Sequence, residues 1–191
     1  DFPDAMTPPP PSSRTPFLAT EASAAYDQIK RLPVSVLLDN VRSMYNVGSF
    51  FRTGDAVGLE TLFLTGITAY PPKKAITKTA LGAEETLPWK HTRDAVMELR
   101  RLHESGHEIA AIETSAHAVD LFDWKPRFPV CLVFGHETDG IQPEVLAQCD
   151  THVRIPMLGR KHSLNVATAG GVMLFELLRK YRELHDPSVR K

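Results

Sequence analysis

Apolar and polar positions change period in a regular alternation along the chain, and that alternation predicts the layout of the fold. A β-branched run, Val34 to Leu38, is followed by apolar or small residues at Val47, Phe50, Phe51, Gly54 and Val57. The run predicts a buried strand; the spacing after it predicts the inward face of a helix over Tyr45 to Val57. Further strands are expected over Thr61 to Gly66, His107 to Glu113, Pro129 to Gly135 and Thr151 to Pro156. Helices are expected over Arg93 to Glu104, Pro143 to Gln148 and, longest, Ser163 to Leu184. Pro71, Pro72 and Pro88 interrupt the stretch from Ile67 to Trp89, which is expected to be irregular. Strands separated by helices predict an α/β fold, with a mostly parallel sheet and helices on both faces.

The N-terminal segment departs from this pattern. Residues 1–17 hold six of the chain's 15 prolines, four of them together at Pro8 to Pro11, which predicts a flexible polyproline arm. A proline-motif ligand for a partner is the second reading. A short helix over Leu18 to Arg31 is expected to end at Pro33, so residues 18–33 form a helix and linker. Residues 34–185 form the folded domain and residues 186–191 a tail. Apolar residues make up 42 % of the chain, enough for a core without staples. A net charge of -1 argues against a protein that coats nucleic acid by charge alone, while leaving room for a local basic patch. Two cysteines exclude a disulfide scaffold and a four-cysteine zinc site. No apolar run approaches the roughly 20 residues of a membrane span, and no secretory leader is recognisable, so a cytoplasmic protein is expected.

In an open parallel sheet, ligands gather outside the carboxyl ends of the strands. The loops there hold the least ordinary residues. The first, Leu38 to Gly58, places Asn40, Arg42, Asn46 and Arg52 around a helix start. Asn46 is a candidate cap, and the free N–H groups near Gly48 suit a phosphate or carboxylate. Gly48, one turn before Arg52, leaves the guanidinium room to reach outward; a plain surface pair of Arg52 with Asp55 is the competing reading. The second loop, Val133 to Ile141, runs from a buried strand into Gly135, His136 and Glu137 and closes at Gly140. Gly135 permits close backbone approach to a ligand, and Glu137 is an acceptor for a hydroxyl or amine. The competing reading is a polar turn. No metal site is expected, because His136 and Glu137 lack a second histidine at helical spacing. The third loop, Ile155 to Gly171, carries Arg160, Lys161 and His162, with Ser163 as a candidate cap of the long helix and Asn165 in its first turn. The small residues Ala167 to Gly171 imply a packed neighbour or a dimer face.

Glu113 and Thr114 fall at the same sheet edge. Lys73, Lys74 and Lys78 sit among aliphatics and either touch phosphates or are simply solvated. Ser163 lies in no GxSxG turn, so a hydrolase is not indicated. Cys131 is expected to be a core thiol.

NVGSFFRTGDAVG, VFGHETDGI and IPMLGRKHSLNVATAGGVMLFE, in this order and spacing, resemble the three motifs of the SpoU (TrmH) family. These are S-adenosylmethionine-dependent RNA ribose 2′-O-methyltransferases of the SPOUT superfamily, and the likeness spans Val34 to Tyr181. The resemblance implies a C-terminal trefoil knot, an exception to unknotted chain paths. It implies transfer of a methyl group to a ribose 2′-hydroxyl of tRNA or rRNA, with tRNA favoured, by a homodimer joined through the C-terminal helix. It places the methyl donor against Thr114, Gly135, Ile155, Met157 and Leu164. Catalytic roles pass to Asn46 and Arg52 from the first motif, Glu137 from the second, and Ser163 and Asn165 from the third. Arg42, Arg160 and Lys161 are expected to bind RNA. Ala167 departs from the family, many members having serine there, and no separate RNA-binding domain is evident. An inactive RNA-binding protein keeping the knotted fold is the alternative, and a base-modifying enzyme a weaker one.

Overall fold

In the computed structural model, residues 31–185 are described. The expected arm, the tail and nearly all of the Leu18–Arg31 helix lie outside them. The elements run β1 (Leu32–Asp39), α1 (Met44–Val57), β2 (Leu59–Thr65), α2 (Lys74–Ala80), α3 (Ala83–Thr86), β3 (Trp89–Thr92) and α4 (Ala95–Glu104). They continue β4 (Glu108–Ile112), β5 (Val119–Asp120), β6 (Val130–Phe134), α5 (Pro143–Leu146), β7 (Thr151–Arg154) and α6 (Val166–His185). One seven-stranded sheet holds them in the order β3-β2-β1-β6-β4-β7-β5, and every pairing is parallel.

Alternation along the buried strands splits the core into two layers, which is why the runs read as continuously apolar. Val36 and Leu38 of β1, with Leu132 and Phe134 of β6, face Phe50 of α1 and Met173, Leu174 and Leu177 of α6. Leu37, Ile109, Cys131 and Val133 face the other way, toward Leu99 and Leu102 of α4 and Val145 of α5. Cys131 is a core thiol as expected, its pKa pushed up by burial. The neighbours β1 and β6 thus send their following helices to opposite faces. Such a divergence opens a crevice at the carboxyl edge of a parallel sheet.

Several boundaries differ from expectation. The stretch from Ile67 to Trp89 is not irregular, because α2 and α3 form within it. Only Ile76 and Ala80 of α2 are buried, too few to give a helical stripe in the sequence. The edge strands β3 and β5 were not expected; WKHT has no apolar run and β5 is two residues long. The long helix begins at Val166 rather than Ser163.

Two contacts set the position of α6. Lys180 is buried, and its ammonium donates to the carbonyls of Leu121 (2.8 Å), Phe122 (3.2 Å) and Trp124. Gly170 lies against Phe50 of α1, so that a Cβ there would come within 2.3 Å of the ring. Gly170→Ala must push α6 from α1 or turn Phe50 off its rotamer, at a cost of about 1–3 kcal/mol. Its thermal midpoint, followed by circular dichroism, is expected to fall by about 2–4 °C per kcal/mol.

Candidate active site

The β1–α1 connection is built to receive a carboxylate. Asn40, at φ 56, ends β1 in a left-handed conformation, and its Oδ1 accepts the Ile67 N–H at 3.0 Å. The chain then turns into α1, whose N-cap is Ser43; its Oγ accepts from Asn46 N at 3.3 Å. Asn46 is therefore not the cap, and its side chain is left for other work. The N–H groups of Arg42 (3.1 Å) and Ser43 (3.0 Å) donate to the carboxylate of Glu137, and Asn46 Nδ2 adds a third bond at 3.2 Å. The anion expected at this helix start is thus supplied internally, and Glu137 is already engaged as an acceptor. Burial opposes its charge, but the Ser43, Arg42 and Asn46 donors outweigh that and hold its pKa below the usual carboxylate value.

Hydrogen-bond polarity extends the cluster. An ionised carboxylate only accepts, so Asn46 must turn its amide nitrogen to Glu137 and its oxygen away. Asn165 Nδ2 donates to that oxygen at 3.2 Å. Asn165 is then left with its own oxygen, which accepts from Ala167 N (2.9 Å) and Thr168 N (3.3 Å) at the start of α6. Asn165, not Ser163, therefore caps the long helix. The three loops singled out by sequence meet in one tether, Glu137–Asn46–Asn165.

Beside the tether lies a cavity of about 430 Å3, outside the carboxyl ends of β4, β6 and β7. Its size falls in the range of about 300–1,000 Å3 typical of small-ligand sites. Thr114, Gly135, Ile155, Met157 and Leu164 all line it, together with Glu137, Ser163 and Asn165. Asn46 stands one hydrogen bond behind. The lining does not include Arg52, Arg42, Arg160 or Lys161, all four of which are exposed. Arg52 does not pair with Asp55, whose Oδ1 instead accepts from Thr86 Oγ1 at 2.8 Å. Gly48 is buried under α2 rather than making room for Arg52, since a Cβ there would lie 2.4 Å from the Ile76 carbonyl. Gly135 has a similar reason to be small: a Cβ would lie 2.4 Å from the Gly140 carbonyl carbon. His136 and Gly140 close that turn with reciprocal backbone bonds of 3.0 Å.

Sequence reasoning gave no role to Glu113 or His136, which also line the cavity. Glu113 Oε2 is buried without a hydrogen-bond partner in the protein. Its place at the end of β4 was the available signal. His136 Nδ1 lies near the N–H groups of Thr138 (3.3 Å) and Asp139 (3.2 Å) and the Asp139 carboxylate (3.3 Å). Among the described residues no group of three or more potential metal ligands occurs. Apolar walls from Ile112, Phe134, Ile155 and Leu164, with an acceptor at Glu113, suit a nucleoside-sized ligand.

The depressed pKa of Glu137 makes the tether pH-dependent. Its stabilisation is fully present above the unfolded carboxyl value, about 4.3, and is lost as pH falls through the lower folded value. Glu137→Gln turns an amide NH2 or an uncharged oxygen toward the α1 donors. Its thermal midpoint is expected below wild type at pH 6, with the gap narrowing at pH 3.5; a gap independent of pH would contradict this.

Comparison with known proteins shows the family of the chain. A family model described as the SpoU rRNA Methylase family matches residues 33–175. The 23S rRNA (guanosine-2'-O-)-methyltransferase RlmB of Vibrio parahaemolyticus is 32% identical over 149 residues, 78% of this chain and 60% of that relative. The chain therefore spans about three-fifths of that curated relative's length. Among solved structures, the TrmH/SpoU tRNA modifying enzyme of A. aeolicus superposes with a TM-score of 0.74 at 28% identity, covering 81% of this chain and 78% of that one. The AdoMet-bound rRNA methyltransferase of Sinorhizobium meliloti gives a TM-score of 0.71 at 30% identity, covering 80% and 61%. With its motifs converging on one cavity and the family model running from β1 into α6, the chain belongs to the SpoU rRNA methylase family.

Proposed function

We propose that this protein is an S-adenosylmethionine-dependent methyltransferase acting on a ribose 2′-hydroxyl of tRNA or rRNA, with residues 34–185 as its catalytic domain. The observation that carries the reading is the cavity itself. All five residues expected to hold the donor line it, and the tether fixes three motif loops around it. The relative from Vibrio parahaemolyticus is named for ribose 2′-O methylation and the Sinorhizobium meliloti neighbour was solved with AdoMet bound. The knotted path expected of the C-terminal segment belongs to the same proposal, since the loops after β6 and β7 and the start of α6 share this lining. An inactive RNA-binding role has no feature in its favour, because every motif residue is present.

The donor residues fit the group. Thr114, Gly135, Ile155, Met157 and Leu164 would hold it, and Glu113 offers an acceptor to a hydroxyl or amine of it. When bound, S-adenosylmethionine supplies an activated methyl group on a sulfonium. The rest is placement, the main requirement of an in-line transfer. Glu137 and Asn46 are positioning residues: they hold the start of α1 and the start of α6 in register. Ser163, exposed at the cavity wall, is available to a ribose or phosphate oxygen. Arg52 is exposed and has no ion pair among the described residues. An arginine stays charged at neutral pH and is a poor base. Its part is to draw in RNA phosphate and stabilise negative charge developing on the 2′-oxygen. Arg42, Arg160 and Lys161 add local positive charge.

A second copy of the chain covers the outer face of α6. Val172 and Phe175 are exposed there, and a Cβ on Gly171 would meet no atom within 4 Å. No helix among the described residues is long and apolar enough to cross a membrane. We place the protein with its RNA in the cytoplasm.

Two outcomes test this. Arg52→Ala is expected to lower the transfer rate to RNA about 10²–10³-fold while S-adenosylmethionine affinity, by calorimetry, stays at the wild-type value. Normal turnover would remove Arg52 from the mechanism, and failure of the wild type to methylate any RNA ribose would remove the proposal. Phe175→Glu is expected to convert a dimer to monomer in light scattering; an unchanged dimer would place the interface elsewhere.

A further inference from the structure

The rim outside β1, β2 and β3 carries a second group of side chains, apart from the cavity and the tether. Between Thr61 and Ala83 the chain has Lys73, Lys74 and Lys78 and no carboxylate. All three lysines are exposed, and none has an ion-pair partner among the described residues. Lys74 and Lys78, four residues apart, share one face of α2.

One exposed ring stands against the C-terminal end of α2, and another precedes its N-terminal end by four residues in the chain. At its C-terminal end Thr79 Oγ1 donates to the Tyr45 carbonyl at 3.0 Å, and Lys78 Nζ lies 5.9 Å from the centre of the Tyr45 ring. Tyr45 is 51% exposed. It shares a stripe of α1 with Ser49 and Arg52, at the i, i+4, i+7 spacing of one helix face. Ahead of α2, Tyr70 is 43% exposed and stands against His91, with centroids 4.1 Å apart and planes 33° apart. Trp89 backs the same ring at 6.2 Å and 30°. The seven residues of α2 span about 10 Å, so two aromatic platforms flank a short lysine rail.

Two rings left half in water, Tyr70 backed by His91 and Trp89 and Tyr45 beside the Lys78 ammonium, match what splayed bases and their phosphates require. An A-form duplex offers phosphates and 2′-hydroxyls but no free base face. It would use the lysines and leave the rings idle. We propose that Tyr70 with His91, then Lys74 and Lys78, then Tyr45, form a track for unpaired RNA. The track delivers its strand past Arg52 and Asn46 to the cavity, so the target nucleotide comes from a loop or other single-stranded segment. The proposal rests on the methyltransferase reading and adds the form of RNA it takes.

Fluorescence anisotropy on the whole chain tests it, with a short unstructured fluorescein-labelled RNA of mixed sequence and a blunt duplex of the same sequence. Tyr70→Ala is expected to weaken the single strand about tenfold, and Tyr70→Phe to restore it. The duplex should change little. Lys74→Gln with Lys78→Gln should lower the salt slope for the single strand by about 1.4. S-adenosylmethionine affinity, measured by calorimetry, should be unchanged in every variant, which reports an intact cavity. Tyr70→Ala weakening both RNAs equally, or neither, overturns the track alone. Wild-type protein that binds neither RNA overturns the track together with the functional reading.

Discussion

A carboxylate that can only accept hydrogen bonds sets the direction of everything around the cavity. Glu137 takes the first N–H groups of the α1 entry and fixes the Asn46 amide. Asn46 in turn fixes Asn165, and Asn165 satisfies the orphan donors of α6. None of these amides can be flipped alone without placing donor against donor or acceptor against acceptor. The tether therefore aligns two helix N-termini and the turn after β6 as one unit. Removing a member leaves a half-satisfied network, which is worse than the loss of a single bond.

The sheet explains why such a tether is needed. β1 and β6 are neighbours, paired from Val34–Val130 to Leu38–Phe134. Their following helices go to opposite faces, so the loops part at the very edge where a ligand must be held. Backbone pairing stops at the end of the strands, and only side chains can join the loops beyond it. Glu137 reaches from one loop to the other, and Lys180 secures the far end of α6 by donating to three carbonyls. Between these two anchors the packing of Gly170 on Phe50 leaves little freedom for α6 to shift.

Much of this was legible in the sequence where apolar periodicity was strong. β1, β4, β6 and the helices α1 and α4 fell within a few residues of expectation because buried strands and amphipathic helices write their period directly. β3 and α2 were missed for the opposite reason: they pack with few apolar residues, and three prolines around them suggested disorder of the pattern. The three chemical loops were recognisable from residue types, and their convergence followed from parallel topology. Which residue bonds to which was not legible. Asn46 and Ser43, or Ser163 and Asn165, are equally good caps by type, and only the position of Glu137 decides between them. The orphaned oxygen of Glu113 is a property of burial that no local pattern carries.

The two sides of the tether differ in charge. A nearly neutral chain has no strong overall field, so any attraction for a polyanion must be local. The cavity lining mixes apolar residues with both signs of charge, Glu113, Glu137 and Asp139 beside Arg154. The opposite side carries Arg52, Lys74 and Lys78 with no acidic residue between Thr61 and Ala83. Positive charge unopposed by carboxylates is therefore concentrated on that side of the tether. On the proposed function the donor cavity and the basic rim adjoin at Asn46, which bonds to the cavity-lining Glu137 and Asn165 and lies on the same helix as Arg52.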